Sequence, residues 1–205
     1  MFKVLTEGCK PTRGTKYSAC VDLYSSQDVV IGAGETKIIG LGVCLDLDNS
    51  NIYMTSQYRW AEKKTTDINL LDSIKKQEIE DFMNSHYLQV ALRSSLGKAG
   101  LIMPNGVGII DMDYRDEIKV IIHNPITHIF NIEKEDMSLF TYGHSNKKGC
   151  MSENIAIKKG QRIAQITLLE HKSELFGIGS DVIRDGGLGS TDTVSWVIVL
   201  QYIKG

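Results

Sequence analysis

The chain has 205 residues, a formal net charge of −2 and 42% hydrophobic residues. Its length suffices for one domain with a sizeable core, and its charge offers no general attraction to nucleic acid or to an anionic membrane. It contains no apolar run as long as a membrane-spanning helix and no signal-peptide pattern. We therefore expect a non-secreted protein of the cytoplasm or nucleus, with neither nucleic acid nor a membrane as its partner.

The cysteine and histidine residues argue against a metal centre made of their side chains. The four cysteines have no CxxC spacing, and the five histidines are scattered without an HExxH pattern. We expect reduced thiols, as in a cytosolic type of compartment, and no bound zinc.

The first fifty residues predict short strands separated by turns. Two stretches, 16–24 and 35–47, carry many β-branched, aliphatic or aromatic residues, and glycines punctuate the second. Short strands with frequent turn signals favour an all-β architecture. Asp22 lies in the first stretch, where the pattern alone also fits an ordinary turn residue.

Residues 60–85 predict one amphipathic helix in this β-rich chain. Thr66 or Asp67 could cap its start, and apolar residues then recur near helical spacing, at Ile68, Leu71, Ile74, Ile79 and Phe82. Such a helix either packs on the β domain as a decoration or offers a surface to a protein partner. Both interpretations stay open at this point.

Two further stretches have the chemistry of an anion site. Arg93, Ser94 and Ser95 stand at a strand end or loop, where a guanidinium fork and hydroxyl groups suit phosphate. Residues 184–191 form a Gly-rich arm with one cation, and such arms can close over phosphates. The apolar run 194–203 after the arm needs a pairing partner, because exposed β-prone runs aggregate.

Residues 104–124 predict a strand, a tight turn and a second strand. Gly106 and Gly108 allow close backbone approach, and isoleucine-rich runs on both sides are typical of buried strands. Asp111 and Tyr114 lie between these runs. A rigid hairpin that presents a carboxylate beside an aromatic ring suits a small-molecule site, although the pattern alone also fits an ordinary hairpin with solvated acids.

Five stretches, in order along the chain, resemble the signature motifs of the trimeric dUTPase family. Residues 108–117 read GIIDMDYRDE and depart from that family's third motif only at Asp116, which stands for the usual glycine. Residues 160–165 resemble the fourth motif at every position, and 93–97 resemble the second. The first motif, at 19–24, has Cys20 in place of a glycine. The fifth, at 184–191, lacks one residue and has Leu188 in place of a phenylalanine.

The resemblance implies an all-β, jelly-roll-like barrel with a helical insertion, assembled as a homotrimer. It implies hydrolysis of dUTP to dUMP and pyrophosphate, with Mg²⁺ as the cofactor. One β-barrel domain would span residues 1–180, with insertions at about 60–85 and 137–153. Residues 181–205 would form the Gly-rich arm and the apolar tail.

The resemblance also implies roles for individual residues. Asp111 would be the base that activates water, Tyr114 would pack under the deoxyribose, and Asp22 would hold a water on the Mg²⁺. Gln165 would reach a phosphate-bound water, whereas Arg162 would be more structural. The full set of implied substrate-binding residues is Arg93, Ser94, Ser95, Asn105, Gly108, Asp111, Tyr114, Gln165, Arg184, Leu188, Gly189 and Ser190.

Two other functions remain as alternatives. The dCTP deaminases share the fold and carry a catalytic glutamate about ten residues beyond the aspartate that Asp111 matches. Ile121 stands there, and no glutamate occurs between Glu117 and Glu133, so deamination is disfavoured. The second alternative is a dUTP-responsive regulatory binding protein, whose altered arm has lost turnover and whose insertion contacts a protein partner.

Overall fold

The computed structural model describes residues 1–50, 52, 56–125, 154–180 and 182. These residues contain ten strands, three helices and a 3-10 turn at Ser173–Phe176. The strands are β1 (Phe2–Val4), β2 (Val21–Tyr24), β3 (Val29–Ile31), β4 (Thr36–Gly40), β5 (Val43–Leu45), β6 (His86–Leu92), β7 (Gly108–Asp111), β8 (Lys119–His123), β9 (Ile155–Ile157) and β10 (Arg162–Glu170). The helices are α1 (Ser56–Lys64), α2 (Ile68–Met83) and α3 (Ser94–Lys98).

Every pairing between these strands is antiparallel. One four-stranded sheet has the order β2-β10-β6-β7, and three two-stranded sheets pair β1 with β5, β3 with β9 and β4 with β8. Most of the partners lie far apart in sequence, so the chain crosses repeatedly between sheets. The predicted all-β architecture is confirmed.

The core lies between these sheets and consists mainly of β-branched and aliphatic side chains. Strand β8 shows the period of two that strands require, because Val120 and Ile122 are buried while their neighbours are half-buried. Full burial of one such side chain stabilises the fold by roughly 1.5–3 kcal/mol. Further fully buried members of the core are Leu23, Ile31, Ile39, Leu41, Leu88, Ile118, Ile157, Ile163 and Ile166.

The predicted hairpin at 104–124 is wrong in its pairing. Both strands exist, but β7 pairs with β6 and β8 pairs with β4. The connection between them therefore passes from one sheet to another instead of closing a two-stranded ladder. Apolar runs at short spacing predict two strands, but the burial of each face decides which partner each strand takes.

The insertion at 60–85 contains the predicted helix and part of a second one. Helix α2 begins as predicted, because the Asp67 carboxylate accepts hydrogen bonds from the backbone N–H groups of Asn69 and Leu70, at 3.0 and 3.3 Å. Its side chain Ile79 is 8% exposed and belongs to the core. The prediction of a single helix is wrong, since α1 precedes α2 and buries Ala61.

Several predicted features lie outside the described residues: the insertion at 137–153, the arm at 184–191 and the tail at 194–203. The run 126–132, whose apolar residues predict a strand, lies outside them too. Among the helices that the structure describes, none combines the length and apolar character needed to cross a membrane.

Candidate functional site

A cavity of about 350 Å³ opens beside the buried carboxylate of Asp22. We call it the Asp22 pocket. One guanidinium, that of Arg93, forms an ion pair with Asp22 Oδ1, and a second, that of Arg162, donates to Asp22 Oδ2 at 3.3 Å. The lining residues are Gly14, Thr15, Ser18, Ala19, Cys20, Asp22, Arg93, Arg162 and Gln165.

Strand pairing brings the polar groups of the Asp22 pocket together. In the central strand β10, Gln165 stands opposite Asp22 on one side and opposite Ala91 on the other. The backbone N–H of Arg93 donates to the carbonyl of Ile163 at 3.0 Å, which fixes the end of β6 beside β10. Asp22, Arg93 and Gln165, which are far apart in sequence, thus lie close together where β2, β10 and the end of β6 are side by side.

The charge balance of the Asp22 pocket favours an anionic ligand. Two guanidinium groups share one carboxylate, so a net positive charge remains. The Asp22 side chain is only 11% exposed, whereas those of Arg93 and Arg162 are 28% and 53% exposed. Donors on the two arginines therefore remain open to solvent, and guanidinium donors suit phosphate oxygens.

Arg93 directly follows the end of β6, so the predicted strand end is confirmed, and Ser94 and Ser95 then begin a short helix in place of a loop. Arg93 occupies the N-cap position of α3, and both serines are exposed. Their predicted role as phosphate ligands stays a prediction.

Asp111 is exposed at the end of β7, and residues 112–117 form a tightly bonded loop after it. We call these residues the Asp111 loop. Tyr114 is 4% exposed, its N–H donates to the Asp111 carbonyl at 3.1 Å, and its hydroxyl donates to the Glu117 carbonyl at 3.0 Å. At the far end, the Glu117 carboxylate accepts from the N–H of Gly42 at 2.7 Å. These bonds fix the backbone that follows Asp111.

Asn105 and Gly108 lie before the Asp111 loop. Asn105 is exposed in the turn that precedes β7. Gly108 stands opposite Val90, and a Cβ at this position would approach the Val90 Cβ to 3.5 Å and the Met103 Cε to 3.3 Å. The close approach expected from Gly108 is therefore present against a neighbouring strand.

The Asp22 pocket and the Asp111 loop lie at opposite ends of β6 within one chain. Asp111 pairs with Tyr87, whereas Arg93 follows the last residue of the same strand. Six residues of extended strand correspond to about 20 Å. The structure thus brings Asp22, Arg93 and Gln165 together and leaves Asp111 and Tyr114 in a second group. Arg184, Leu188, Gly189 and Ser190 lie outside the described residues.

The described residues contain no group of three or more His, Cys, Asp or Glu side chains that could hold a metal ion directly. Asp22 keeps acceptor capacity beyond its two arginines, since each carboxylate oxygen has two lone pairs. Mg²⁺ commonly keeps several waters and binds through one or two carboxylates plus substrate phosphates. Asp22 therefore fits a hydrated Mg²⁺ held mainly by a ligand.

Three polar residues of the Asp22 pocket, Arg162, Thr15 and Ser18, lie beyond the set of ligand-binding residues that the sequence motifs imply. Arg162 is bonded to Asp22, and the two hydroxyl residues line the Asp22 pocket. The hydroxyl groups of Thr15 and Ser18 lie 3.0 Å apart, and Ser18 Oγ accepts from the Thr15 N–H at 2.9 Å. The run of polar residues just before β2 was the available signal.

Three of the four cysteines, Cys9, Cys20 and Cys44, are free thiols, and the fourth lies outside the described residues. Burial raises the pKa of the Cys9 thiol, while the nearby Lys159 opposes this rise and Glu117 adds to it. Cys9 donates to the carbonyl of Ser25 at 3.5 Å, which suits a neutral thiol in the core.

The fold and the pocket define an antiparallel β protein with a cationic site suited to phosphate. The family model described as dUTPase matches residues 81–137. The deoxyuridine 5'-triphosphate nucleotidohydrolase of Nautilia profundicola is 30% identical over 135 residues, which cover 65% of this chain and 70% of that protein. The corresponding protein of Rickettsia felis is 27% identical over 191 residues, covering 90% and 88%. The chain belongs to the dUTPase family.

The solved structures agree with this fold. A structure of the dUTPase from phage phi11 of S. aureus superimposes with a TM-score of 0.51, at 15% identity, over 91% of this chain and 95% of that chain. The jelly-roll-like β fold predicted for the chain is confirmed.

Proposed function

We propose that the chain hydrolyses dUTP to dUMP and pyrophosphate, with Mg²⁺, as a homotrimer. The observation that carries the proposal is the Asp22 pocket. There, Asp22 of β2, Gln165 of β10 and Arg93, which directly follows β6, surround one cavity, and each comes from a different stretch that resembles a dUTPase motif. Membership of the dUTPase family names the substrate.

The chemistry follows from the groups in the two regions. Asp111 orients a water and takes its proton as that water attacks the α-phosphorus in line, and pyrophosphate leaves. Arg93, with Ser94 and Ser95 beside it, stabilises negative charge on the phosphates. Asp22 would hold Mg²⁺ through a water, and the bound ion would supply positive charge that neutralises the triphosphate.

Substrate choice is assigned to the region around the Asp111 loop and to the arm. Tyr114 lies under the deoxyribose and leaves no room for a 2′-hydroxyl, which favours dUTP over UTP. Asn105 and the backbone at Gly108 contact the uracil edge. In the arm, Arg184, Leu188, Gly189 and Ser190 close over the nucleotide.

A homotrimer explains why the two regions are apart in one chain. With about 20 Å of β6 between Asp111 and Arg93, one chain cannot place both groups on the same phosphate. Closed cyclic symmetry lets the loop of one chain meet the pocket of its neighbour, and each trimer then has three equal sites.

A protein partner for the insertion at 60–85 stays a prediction. Three apolar side chains there, Trp60, Ile68 and Leu70, are 65%, 72% and 46% exposed, which is compatible with a contact surface. The location in the cytoplasm or nucleus, and the division into 1–180 and 181–205, also stay predictions.

The experiment measures pyrophosphate release from dUTP by the full chain with Mg²⁺. The same chain is assayed with UTP for pyrophosphate release and with dCTP for ammonia release. We expect turnover of dUTP at a rate far above that of UTP, with no ammonia from dCTP. Ammonia release would favour the deaminase alternative. Binding of dUTP without pyrophosphate release would favour the regulatory binding protein.

The shared site is tested by mixing two variants, one defective in the Asp111 loop and one defective in the Asp22 pocket, at dUTP concentrations well below KM. Asp111→Asn and Arg93→Ala trimers are each unfolded and refolded together at equal concentration. If the loop and the pocket of one site come from different chains, about one quarter of the sites in random heterotrimers regain both groups. Activity of the mixture near a quarter of wild type is expected, with separately refolded variants as controls. No regain despite mixed trimers would contradict the shared site.

A further inference from the structure

The last turn of α2 is bonded closely to the start of β6. Ser85 Oγ donates to the carbonyl of Asp81 at 2.6 Å and lies 2.9 Å from His86 Nδ1. The rings of Phe82 and His86 stack with centroids 4.2 Å apart. Since Ile79 also lies in the core, the end of the inserted helix has a fixed position relative to the sheet.

Arg115 connects this helix end to the Asp111 loop. Its Nη1 donates to the carbonyl of Met112 at 2.5 Å, and its Nη2 donates to the Met83 sulfur at 3.9 Å. Met112 directly follows Asp111, and Met83 is the last residue of α2. The planar guanidinium holds its donors in a rigid fork, so the position of one partner restricts that of the other.

We propose that Arg115 is a positioning residue for Asp111, with Met83 as its second anchor. The inserted helix α2 is thereby part of the support for the reacting carboxylate. The proposal rests on the proposed function, in which Asp111 is the general base. Arg115 is exposed and long, so without the thioether contact its side chain would sample several rotamers and hold the Met112 carbonyl for less of the time.

The position of Asp111 is sensitive to this support because Asp111 is the last residue of β7. The ladder with β6 fixes its backbone on the N-terminal side only, at the Tyr87 pair. On the C-terminal side, the peptide is held by the bonds of the Asp111 loop, and Arg115 bonds the first carbonyl of that loop. A displacement of about 1 Å at a reacting group can lower the rate about a hundred-fold.

The experiment compares kcat and KM for dUTP, and the affinity for a non-hydrolysable dUTP analogue, in full-length variants. We expect Arg115→Ala to lower kcat about thirty-fold while KM and analogue affinity stay within about three-fold. Arg115→Lys should recover part of kcat, because an ammonium can still donate to the Met112 carbonyl. The control Arg59→Ala removes an exposed arginine from α1 and should leave kcat unchanged.

Met83→Leu tests the second anchor, since leucine keeps similar volume without the sulfur acceptor. We expect a loss in kcat of about three-fold alone and no further loss in the Arg115→Ala background. Wild-type kcat in Arg115→Ala would overturn the positioning role. A loss confined to KM and melting temperature in Arg115→Ala would also overturn it. Additive effects of Met83→Leu and Arg115→Ala on kcat would overturn the role of Met83 as the second anchor. An inactive wild-type chain would instead overturn the proposed function itself.

Discussion

The Asp22 pocket and the Asp111 loop are built in opposite ways. The pocket joins residues more than sixty positions apart through strand pairing and two ion pairs with Asp22. The loop is held by hydrogen bonds within seven residues, and its supports from outside include Gly42 at one end and Met83 through Arg115.

This difference separates binding from chemistry. Strand register fixes the pocket, which is therefore formed before the ligand arrives and contributes mainly to ligand affinity. The loop fixes one carboxylate whose position matters most in the transition state. Changes to the loop should thus lower kcat, and changes to the pocket should raise KM.

The largest effect is expected for Asp111→Asn. Asparagine keeps the size of the side chain but cannot take a proton from water, so kcat should fall about a hundred-fold or more. The affinity for a non-hydrolysable dUTP analogue, measured by calorimetry, should stay near that of wild type. Turnover of the variant near the wild-type rate would contradict the role of Asp111.

A smaller effect is expected for Gly42→Ala. Gly42 lies between β4 and β5, and its N–H attaches the Asp111 loop through Glu117. Gly42 has φ +66°, and a Cβ there would lie 2.7 Å from the Cβ of Cys9. Gly34 has a similar φ of +70° with nothing within 4 Å, so it is a matched control. We expect Gly34→Ala to lower the free energy of unfolding by about 1 kcal/mol and Gly42→Ala by about 3 kcal/mol.

Denaturant unfolding of the Gly34→Ala and Gly42→Ala variants measures both free energies of unfolding directly. The Gly42 N–H donates to Glu117 at the end of the Asp111 loop. Because the contact with Cys9 would displace this N–H, the Gly42→Ala variant should also lose turnover, whereas Gly34→Ala should not. Equal destabilisation by both substitutions would show that the contact with Cys9 costs nothing.

For the pocket, we expect Asp22→Asn to raise KM for dUTP about ten-fold with a smaller change in kcat. The neutral amide no longer orients both guanidinium groups, and its N–H₂ faces a donor. The control Asp28→Asn changes an exposed carboxylate that accepts from the Lys159 N–H at 2.9 Å, and its kinetics should match wild type. A loss in kcat alone for Asp22→Asn would remove the distinction between pocket and loop.

Local patterns predicted the elements and part of the site. Helix α2 and its Asp67 cap follow from helical spacing and capping chemistry within a few residues. The strands around Asp22 and Gln165 follow from β-branched runs and turn glycines. Asp22, Arg93 and Gln165, which were assigned from separate motifs, lie around one cavity.

Long-range partners could not be predicted in the same way. The apolar runs of β7 and β8 predict two strands, but burial between sheets decides that they pair with β6 and β4. The bond between Arg162 and Asp22 depends on the register of β10 against β2. The contact between Arg115 and Met83 depends on where a helix ends in space, and neither side chain signals it in sequence.

The smallest effect is expected at the start of α2, for Asp67→Ala. Loss of the cap leaves the N–H groups of Asn69 and Leu70 to water and should lower the free energy of unfolding by about 1 kcal/mol. Asp67→Asn keeps an acceptor and is the matched control, with a loss of a few tenths of a kcal/mol at most. The helix should fray only in its first turn, because Ile79 and the stacked Phe82 hold the last turns against the core. Since Met83 then keeps its place beside Arg115, kcat should remain at the wild-type value in both variants. A fall in kcat for Asp67→Ala alone would show that the whole helix, and not only its last turn, supports the Asp111 loop.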